Sequence, residues 1–282
     1  MPLVPSGELV TRARAAGTAV AAVNAITLEH AEAIVAAAVG TGRPVIVQVS
    51  QNAVRFHGGV WPLAAAVRAL ALDSPAEVAV HLDHVDDIAL LHEAPGAGFS
   101  SAMFDAGALP YAENLAATRA AAQWAHAAGL WLEAELGYVG GKPDQPQSAH
   151  AAGVRTDPGE AVDFVAATGV DALAVAVGSS HAMTTQSARL DLDLVARLRA
   201  AVPVPLVLHG SSGVPPDELR AAVAAGITKV NVGTALNLAY TASLRAELAA
   251  DGDVVDPRRY LAPVRDAVAA TVAALLETVT TR

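Results

Sequence analysis

Three of the nine histidines in the chain, His84, His181 and His209, each follow a short apolar run. If these runs are neighbouring strands, the imidazoles meet at one edge. Three imidazoles from separate strands are a common way to hold zinc while leaving a fourth position open to water or substrate. They would also suit cobalt or another transition ion. A single histidine could be an ordinary polar rim residue, but three at corresponding positions favour a divalent metal site.

Asp83 directly precedes the first of these histidines, in the stretch His81-Leu82-Asp83-His84. Alternate residues of a strand share a face, so His81 and Asp83 should point together while His84 turns away at the strand end. Asp83 then suits either of two roles. It could be a general acid/base beside a metal-bound substrate, or it could orient a histidine ligand. The spacing favours neither role, and His81 is expected to support the site rather than bind the metal.

Two later turns, Gly210-Ser211-Ser212-Gly213 and Asn231-Val232-Gly233-Thr234, are built from small residues. Small residues let backbone N–H groups approach an anion closely, as at helix N-termini that bind phosphate. The only lysines are Lys142 and Lys229. Lys229 begins an apolar run, where an inward-pointing lysine that forms an imine is conceivable. We expect it to pack at the lower rim of the sheet instead.

The elements that must position these residues repeat eight times: an apolar run, a polar loop and an amphipathic helix. Short strands alternating with such helices predict βαβ units and a parallel sheet. Eight units in this length predict a closed (β/α)8 barrel, in which catalytic groups come from the C-terminal strand ends. An open doubly wound sheet is the alternative, but the first strand is not followed by a Gly-rich dinucleotide turn. The predicted strands are residues 19–23, 44–49, 77–82, 101–104, 130–136, 172–177, 205–208 and 228–232.

Predicted helices occupy the intervals between these runs. One long interval, residues 138–156, is rich in Gly, Pro, Gln and Ser, and is predicted to form a mobile loop over the barrel mouth after strand five. A last helix is predicted at about 256–279. Nothing resembles a linker, so residues 1–282 are expected to form one domain. The helices named from the pattern are residues 31–39, 63–72, 115–128, 158–167, 192–201, 216–225 and 236–248.

Composition excludes several classes of protein. The 282 residues carry a formal net charge of −10 and no cysteine, so disulfide and thiolate chemistry are absent. The acidic balance argues against a nucleic-acid surface, which needs a basic stripe. Neither a membrane span nor a signal peptide is predicted, and a cytoplasmic location is expected. An anionic substrate must be held by a local site that works against the overall field.

Seven stretches, distributed over nearly the whole chain, carry a resemblance to a known family. They are 80–84 (VHLDH), 98–105 (GFSSAMFD), 133–137 (EAELG) with Gly140 and Gly141, 168–175 (TGVDALAV), 208–215 (LHGSSGVP), 229–232 (KVNV) and 256–258 (DPR). Through them the sequence resembles the class II, metal-dependent fructose-bisphosphate and tagatose-bisphosphate aldolases.

The resemblance implies particular roles for individual residues. His84, His181 and His209 would bind one catalytic divalent metal, usually zinc, and Glu135 would be an additional or alternate ligand. Asp83 would move the hydroxyl proton at the cleaved bond, and Arg258 would reach into a neighbouring subunit of a homodimer or homotetramer. A monovalent cation is also implied. The positions expected to contact the substrate or its phosphates are Asn24, Ser50, Gly178, Ala182, Gly210, Ser211, Ser212, Asn231, Gly233, Thr234 and Arg258.

The sequence also departs from the family pattern. A carboxylate that handles the carbon-bound proton is replaced by Pro143, and Asp144 is the candidate substitute, beside Glu135, for acid/base work. A glycine usual after the second metal histidine is Ala182, and a lysine or tyrosine usual just beyond it is missing.

Three functional hypotheses follow from the resemblance and these departures. The first is zinc-dependent, reversible cleavage of fructose- or tagatose-1,6-bisphosphate to dihydroxyacetone phosphate and glyceraldehyde 3-phosphate. The second keeps dihydroxyacetone phosphate but changes the aldehyde. The third is a barrel that binds metal and sugar phosphate without turnover.

Overall fold

The computed structural model describes residues 3–139 and 155–280, which form eight strands with intervening helices. The strands are β1 Val20–Asn24, β2 Val45–Ser50, β3 Val78–Val85, β4 Ser101–Phe104, β5 Trp131–Leu136, β6 Ala172–Val175, β7 Leu206–Leu208 and β8 Ile227–Val232. The helices are α1 Ser6–Ala16, α2 Leu28–Thr41, α3 Gln51–Phe56, α4 Trp61–Asp73, α5 Ile88–Ala97, α6 Tyr111–Ala127, α7 Pro158–Thr168, α8 Leu192–Ala201, α9 Pro216–Ala225, α10 Thr234–Ala250 and α11 Pro257–Thr280, with a 3₁₀ turn at Ser211–Gly213.

The strands pair in parallel in chain order, and β8 pairs with β1 to close the barrel. Each strand therefore has two neighbours, and the helices of the βαβ connections cover the outside. The predicted (β/α)8 barrel is confirmed. Because all strands run in the same direction, their C-terminal ends meet at one mouth, to which the sequence assigns its polar residues.

Side chains alternate between the helix layer and the barrel interior. On β1, Ala21 and Val23 pack in the large core beneath the helices, whereas Val20 and Ala22 face inward and join Leu9 and Val10 of α1 in a separate cluster. Alternation is the expected result of the two-residue repeat of a strand. Helix α1 thus closes the lower end of the barrel, away from the mouth.

The last helix, α11, packs along the outside against α2 and α10. Its buried side chains, Val264, Val268, Val272, Leu276 and Val279, recur every three or four residues, which is the spacing of one face of an α-helix. Arg265 of α11 also binds Glu32 of α2, with 2.9 Å between Nη1 and Oε2. Within the described ranges, no helix combines the length and the apolar character needed to cross a bilayer.

The structure differs from the sequence prediction at three places. Strand β3 continues to Val85, beyond the predicted end at residue 82, and so includes Asp83 and His84. Helices α1, α3 and α5 are not among those named from the pattern. Lys229 was expected at the lower rim, but it is fully buried inside the barrel. The predicted mobile loop falls largely on residues 140–154, outside the described residues.

Candidate metal centre and substrate cavity

His84, His181 and His209 come together at the mouth of the barrel. One ligand-type nitrogen from each lies within 4.8 Å of the other two. Their ring centroids are 4.9 to 5.8 Å apart, and each pair of rings meets edge to face. The three residues follow β3, β6 and β7 or end them, so the closed barrel itself brings together positions that are far apart in sequence.

His84 enters this cluster because β3 is irregular at its end. The register with β4 shifts between Leu82 and Val85, and His84 has a φ of +51°, in the left-handed region that β-carbon-bearing residues seldom adopt. Its ring then lies with Nδ1 2.9 Å from Oδ2 of Asp105. A carboxylate on Nδ1 fixes the ring orientation and leaves Nε2 for a metal.

His209 has the same kind of support from Glu133 of β5. Nε2 of His209 is 2.8 Å from Glu133 Oε1, and Lys229 Nζ is 2.8 Å from Glu133 Oε2. All three side chains are fully buried. Burial favours the neutral acid, but Lys229 and His209 hold the pKa of Glu133 far below its usual range. Burial also opposes the charge on His209, yet hydrogen bonds to Glu133 and Glu135 raise its pKa to about 9.

The donor set fits a divalent transition metal. Nitrogens bound at about 2.0–2.1 Å to one tetrahedral zinc ion lie about 3.3 Å from one another, so modest rotations of the rings would close the 4.8 Å cluster around an ion. Oε2 of Glu135 is 3.0 Å from Nδ1 of His209. The Glu135 carboxylate therefore lies beside Nδ1, the nitrogen of His209 that does not contact Glu133. This is where an additional metal ligand is expected.

Asp83 lies next to this cluster and is held from one side. Asn24 donates its side-chain amide to Oδ2 of Asp83 over 2.8 Å, and Gln48 contacts Asn24 Oδ1 at 3.3 Å. The other carboxylate oxygen, Oδ1, is buried and has no hydrogen-bond partner among the described residues. Burial tends to raise the pKa of Asp83, but His84, His209 and His81 lower it below its usual value. The group is thus an oriented carboxylate with one oxygen available.

His81 shares the inward face of β3 with Asp83, as the alternation predicted. Its Nδ1 is 2.7 Å from Oγ of Ser101, and Ser101 in turn donates to Ser6 Oγ of α1 over 2.6 Å. Burial, followed by the positive charge of Lys229, lowers the pKa of His81 to about 3. The imidazole is therefore a neutral group that is tied to the lower half of the barrel.

A cavity of about 340 Å³ opens above these groups. Its lining includes eleven of the positions that the sequence singled out: Asn24, Ser50, Asp83, His84, His181, Ala182, Gly210, Ser212, Asn231, Gly233 and Thr234. It also includes Ile26, Asn52 and Asn237, which the sequence reasoning missed. Asn52 and Asn237 lie within the first turns of α3 and α10. That placement, directly after a strand end, was the signal that could have identified them.

Backbone geometry shapes one wall of the cavity at the turn after β7. Gly210 has a φ of +65°, and a β-carbon there would lie 2.6 Å from the backbone carbonyl of Ser180. Ser212 Oγ accepts a hydrogen bond from the backbone N–H of Ala235 in the first turn of α10, over 3.1 Å. The turn therefore sits against a helix N-terminus, where unpaired N–H groups and the helix dipole favour an anion.

Other predicted positions lie elsewhere. Ser211 is buried and donates its hydroxyl to Leu208 O. A β-carbon on Gly178 would collide with Arg189 O at 2.3 Å. Arg258 is 89% exposed at the start of α11 and binds Asp256 through two of its nitrogens. None of the three is part of the described cavity lining, and Asp144 lies outside the described residues.

The fold and the site together define a (β/α)8 barrel whose mouth holds a three-histidine centre beside a polar cavity. The family model described as "Fructose-bisphosphate aldolase class-II" matches residues 4–282. The fructose-bisphosphate aldolase of Geobacillus stearothermophilus is 38% identical over 274 residues, covering 96% of this chain and 95% of the relative. That of Staphylococcus epidermidis is also 38% identical over the same shares.

A solved structure gives the same result. The YdjI aldolase from Escherichia coli K12 superposes with a TM-score of 0.85 at 29% identity, covering 98% of this chain and 97% of that one. The chain therefore belongs to the class II fructose-bisphosphate aldolase family, and it is a carbon–carbon lyase of a metal-dependent family that acts on phosphorylated sugars.

Proposed function

We propose that this enzyme uses zinc to cleave a ketose 1,6-bisphosphate, fructose or tagatose, reversibly into dihydroxyacetone phosphate and glyceraldehyde 3-phosphate. One observation carries the proposal. A three-histidine centre opens into the same cavity as Asp83, whose Oδ1 has no hydrogen-bond partner among the described residues. Retro-aldol cleavage needs an electrophile at the carbonyl and a base at the β-hydroxyl, and a metal centre beside an oriented carboxylate can supply both.

The metal would be held by His84, His181 and His209, with Glu135 as the additional or alternate ligand. When bound, a divalent ion supplies a Lewis acid that polarises the substrate carbonyl and stabilises the negative charge that develops there. Asp105 and Glu133 keep two of the rings oriented by accepting from their other nitrogens. These two contacts support the assignment of His84 and His209 as ligands.

Asp83 would move the proton of the substrate hydroxyl at the bond that breaks. Its Oδ2 is engaged by Asn24, so Oδ1 is the oxygen available for the transfer. Asn231 also lines the cavity and is buried, and both its side-chain polar atoms lack hydrogen-bond partners among the described residues. An amide without partners in a polar cavity is suited to contact a substrate oxygen.

Phosphate would bind at the turn of Gly210 and Ser212 and at the N-terminus of α10 with Gly233 and Thr234. The proximity of this turn to the helix N-terminus supports that assignment. We further propose that Arg258 holds the second phosphate in a neighbouring subunit of a homo-oligomer, and that a monovalent cation, Gly178, Ala182 and Ser211 contribute to phosphate binding. Residues 1–282 would form one catalytic domain.

The first experiment is a retro-aldol assay on fructose and tagatose 1,6-bisphosphates with protein of known metal content. The protein is then treated with a chelator and reloaded with zinc, cobalt or magnesium in separate samples. We expect cleavage of at least one sugar, loss of activity on chelation, and recovery with zinc. The ratio of the two rates gives the stereochemical preference.

Each other outcome corrects a named part of the proposal. Recovery with cobalt but not zinc would replace the metal. If metal binds but neither bisphosphate is cleaved, the reverse reaction of dihydroxyacetone phosphate with a series of aldehydes would find a different partner. Full activity in metal-free protein would remove the metal from the mechanism.

A further inference from the structure

Three buried polar side chains, Lys229, Glu133 and His209, contact one another in sequence and connect the barrel interior to the metal centre. Lys229 of β8 contacts Oε2 of Glu133, and the other oxygen of that carboxylate contacts Nε2 of His209, each at 2.8 Å. None of the three side chains is exposed to solvent. The series connects an interior ammonium group to the imidazole whose other nitrogen, Nδ1, lies beside Glu135.

The donors and acceptors of this series are constrained by their chemistry. A lysine ammonium has only hydrogens to donate, and a carboxylate has only lone pairs to accept. Because Lys229 occupies one oxygen of Glu133, the other oxygen accepts from His209. His209 must then carry a proton on Nε2, so Nδ1 is the nitrogen that would bind a metal.

The same contacts argue against Schiff-base chemistry at Lys229. An imine-forming amine must be unprotonated and reach the substrate carbonyl, whereas this amine is ion-paired with Glu133. Lys229 is also not among the described residues that line the cavity.

We propose that Lys229 is a positioning residue that acts through Glu133 to hold His209 in the tautomer that binds metal. This inference rests on the proposed function only in that His209 is a metal ligand. Polar partners of metal-bound histidines change metal affinity about 10–100-fold when they are removed. The lysine extends that support by one further residue into the barrel.

The test uses a substitution whose effect depends on its neighbour. In Glu133→Gln, the side chain has one oxygen and one NH2. Lys229 can use only the oxygen, so the NH2 faces His209 and requires Nε2 to accept, which moves the proton to Nδ1 and blocks the metal. In Glu133→Gln/Lys229→Met, the oxygen is free to accept from His209, and the metal-binding tautomer is restored. Removing the lysine should therefore rescue the glutamine variant.

The measurement is the zinc dissociation constant, obtained by competition with a chromophoric chelator, with the visible spectrum of the cobalt-loaded protein as a second readout. We expect zinc affinity to fall about 10–100-fold in Glu133→Gln and to recover most of that loss in the double variant. Circular dichroism checks that each variant is folded.

The matched control is Glu133→Leu/Lys229→Met, in which His209 has no acceptor. Its zinc affinity should stay about 10–100-fold below that of the glutamine double variant. If Glu133→Gln does not fold because it leaves a buried lysine unpaired, Lys229→Met alone takes its place. The proposed role predicts that its zinc affinity falls below that of the unsubstituted protein, and equal affinity would overturn the role of Lys229.

Equal zinc affinity in all folded variants, or no rescue by Lys229→Met, would overturn the proposed role of Lys229 while leaving the metal centre in place. If the unsubstituted protein binds no divalent metal, the proposed function fails, and this role fails with it.

Discussion

Asp83 shows how one side chain is prepared for proton transfer at the level of single atoms. Oδ2 is fixed by the amide of Asn24, and Asn24 in turn contacts Gln48, so the carboxylate plane has little freedom. Oδ1 faces no described hydrogen-bond partner. A base that is already oriented toward the proton it removes raises the reaction rate, because the carboxylate does not have to reorient before the transfer.

Replacement of Asp83 by alanine should lower the rate of retro-aldol cleavage by about 10²–10⁴-fold, since general acid/base catalysis has that magnitude. Metal content should be unchanged, because the three histidines and their carboxylate partners remain. Steady-state kinetics and metal analysis of the same preparation check both parts. Asp73→Ala, which removes an exposed carboxylate at the end of α4, is the control. Asp83→Ala turning over at the unsubstituted rate would take the proton-transfer role away from Asp83.

The candidate histidines were predictable because each ends or follows a strand, and the C-terminal strand ends meet at the mouth of any parallel barrel. Their supporting groups were harder to predict. Glu133 entered the sequence analysis only as the first residue of the stretch 133–137 (EAELG). Its place between His209 and Lys229 depends on the stagger of β5, β7 and β8. Lys229 was expected at the rim because lysines are seldom buried. The ion pair with Glu133, which makes burial tolerable, joins residues that are 96 positions apart.

At the scale of elements, an alanine is strained in the turn after β6 but favourable in the middle of a helix. Ala182 follows His181 with a φ of +58°, in the left-handed region, which costs a residue with a β-carbon about 1–2 kcal/mol. This backbone conformation gives a physical reason for the glycine that is usual at this position in the family. Ala120, in contrast, lies within α6 and is exposed.

Ala182→Gly should therefore raise the free energy of unfolding by up to about 1 kcal/mol, because relief of the left-handed strain exceeds the flexibility that glycine adds to the unfolded chain. Ala120→Gly, the same chemical change within a helix, should lower that free energy by about 1 kcal/mol. Urea denaturation of both variants measures the difference. A destabilised Ala182→Gly would mean that this turn is not strained.

The whole molecule carries a formal net charge of −10, so its average field repels a sugar bisphosphate. Local groups must overcome this field, and one of the proposed groups, Arg258, lies on the outer surface of the monomer with Asp256 as its partner. An exposed arginine that acts in a neighbouring subunit would make catalysis a property of the assembly.

Mixing two inactive variants tests that proposal. In a dimer of one Asp83→Ala chain and one Arg258→Ala chain, one of the two sites combines an intact Asp83 with an intact Arg258 from the partner. Random reassociation of equal amounts should restore about one quarter of the activity of the unsubstituted dimer. The activity is measured after unfolding and refolding the mixture, with each variant refolded alone as the control. No gain over the separate variants would place Arg258 outside the neighbouring site.

Helix α1 covers the lower end of the barrel, so the end that is open in the described part of the chain is the one with the histidines. The amino-terminal segment lies on the underside, where Leu3 pairs with Val78 at the start of β3, whereas the histidines and the cavity lie at the opposite end. A molecule tethered to a solid support through its amino end would therefore face the support with the end covered by α1 and face the solution with the barrel mouth. Substrates would reach such an immobilised catalyst without having to pass the supporting surface.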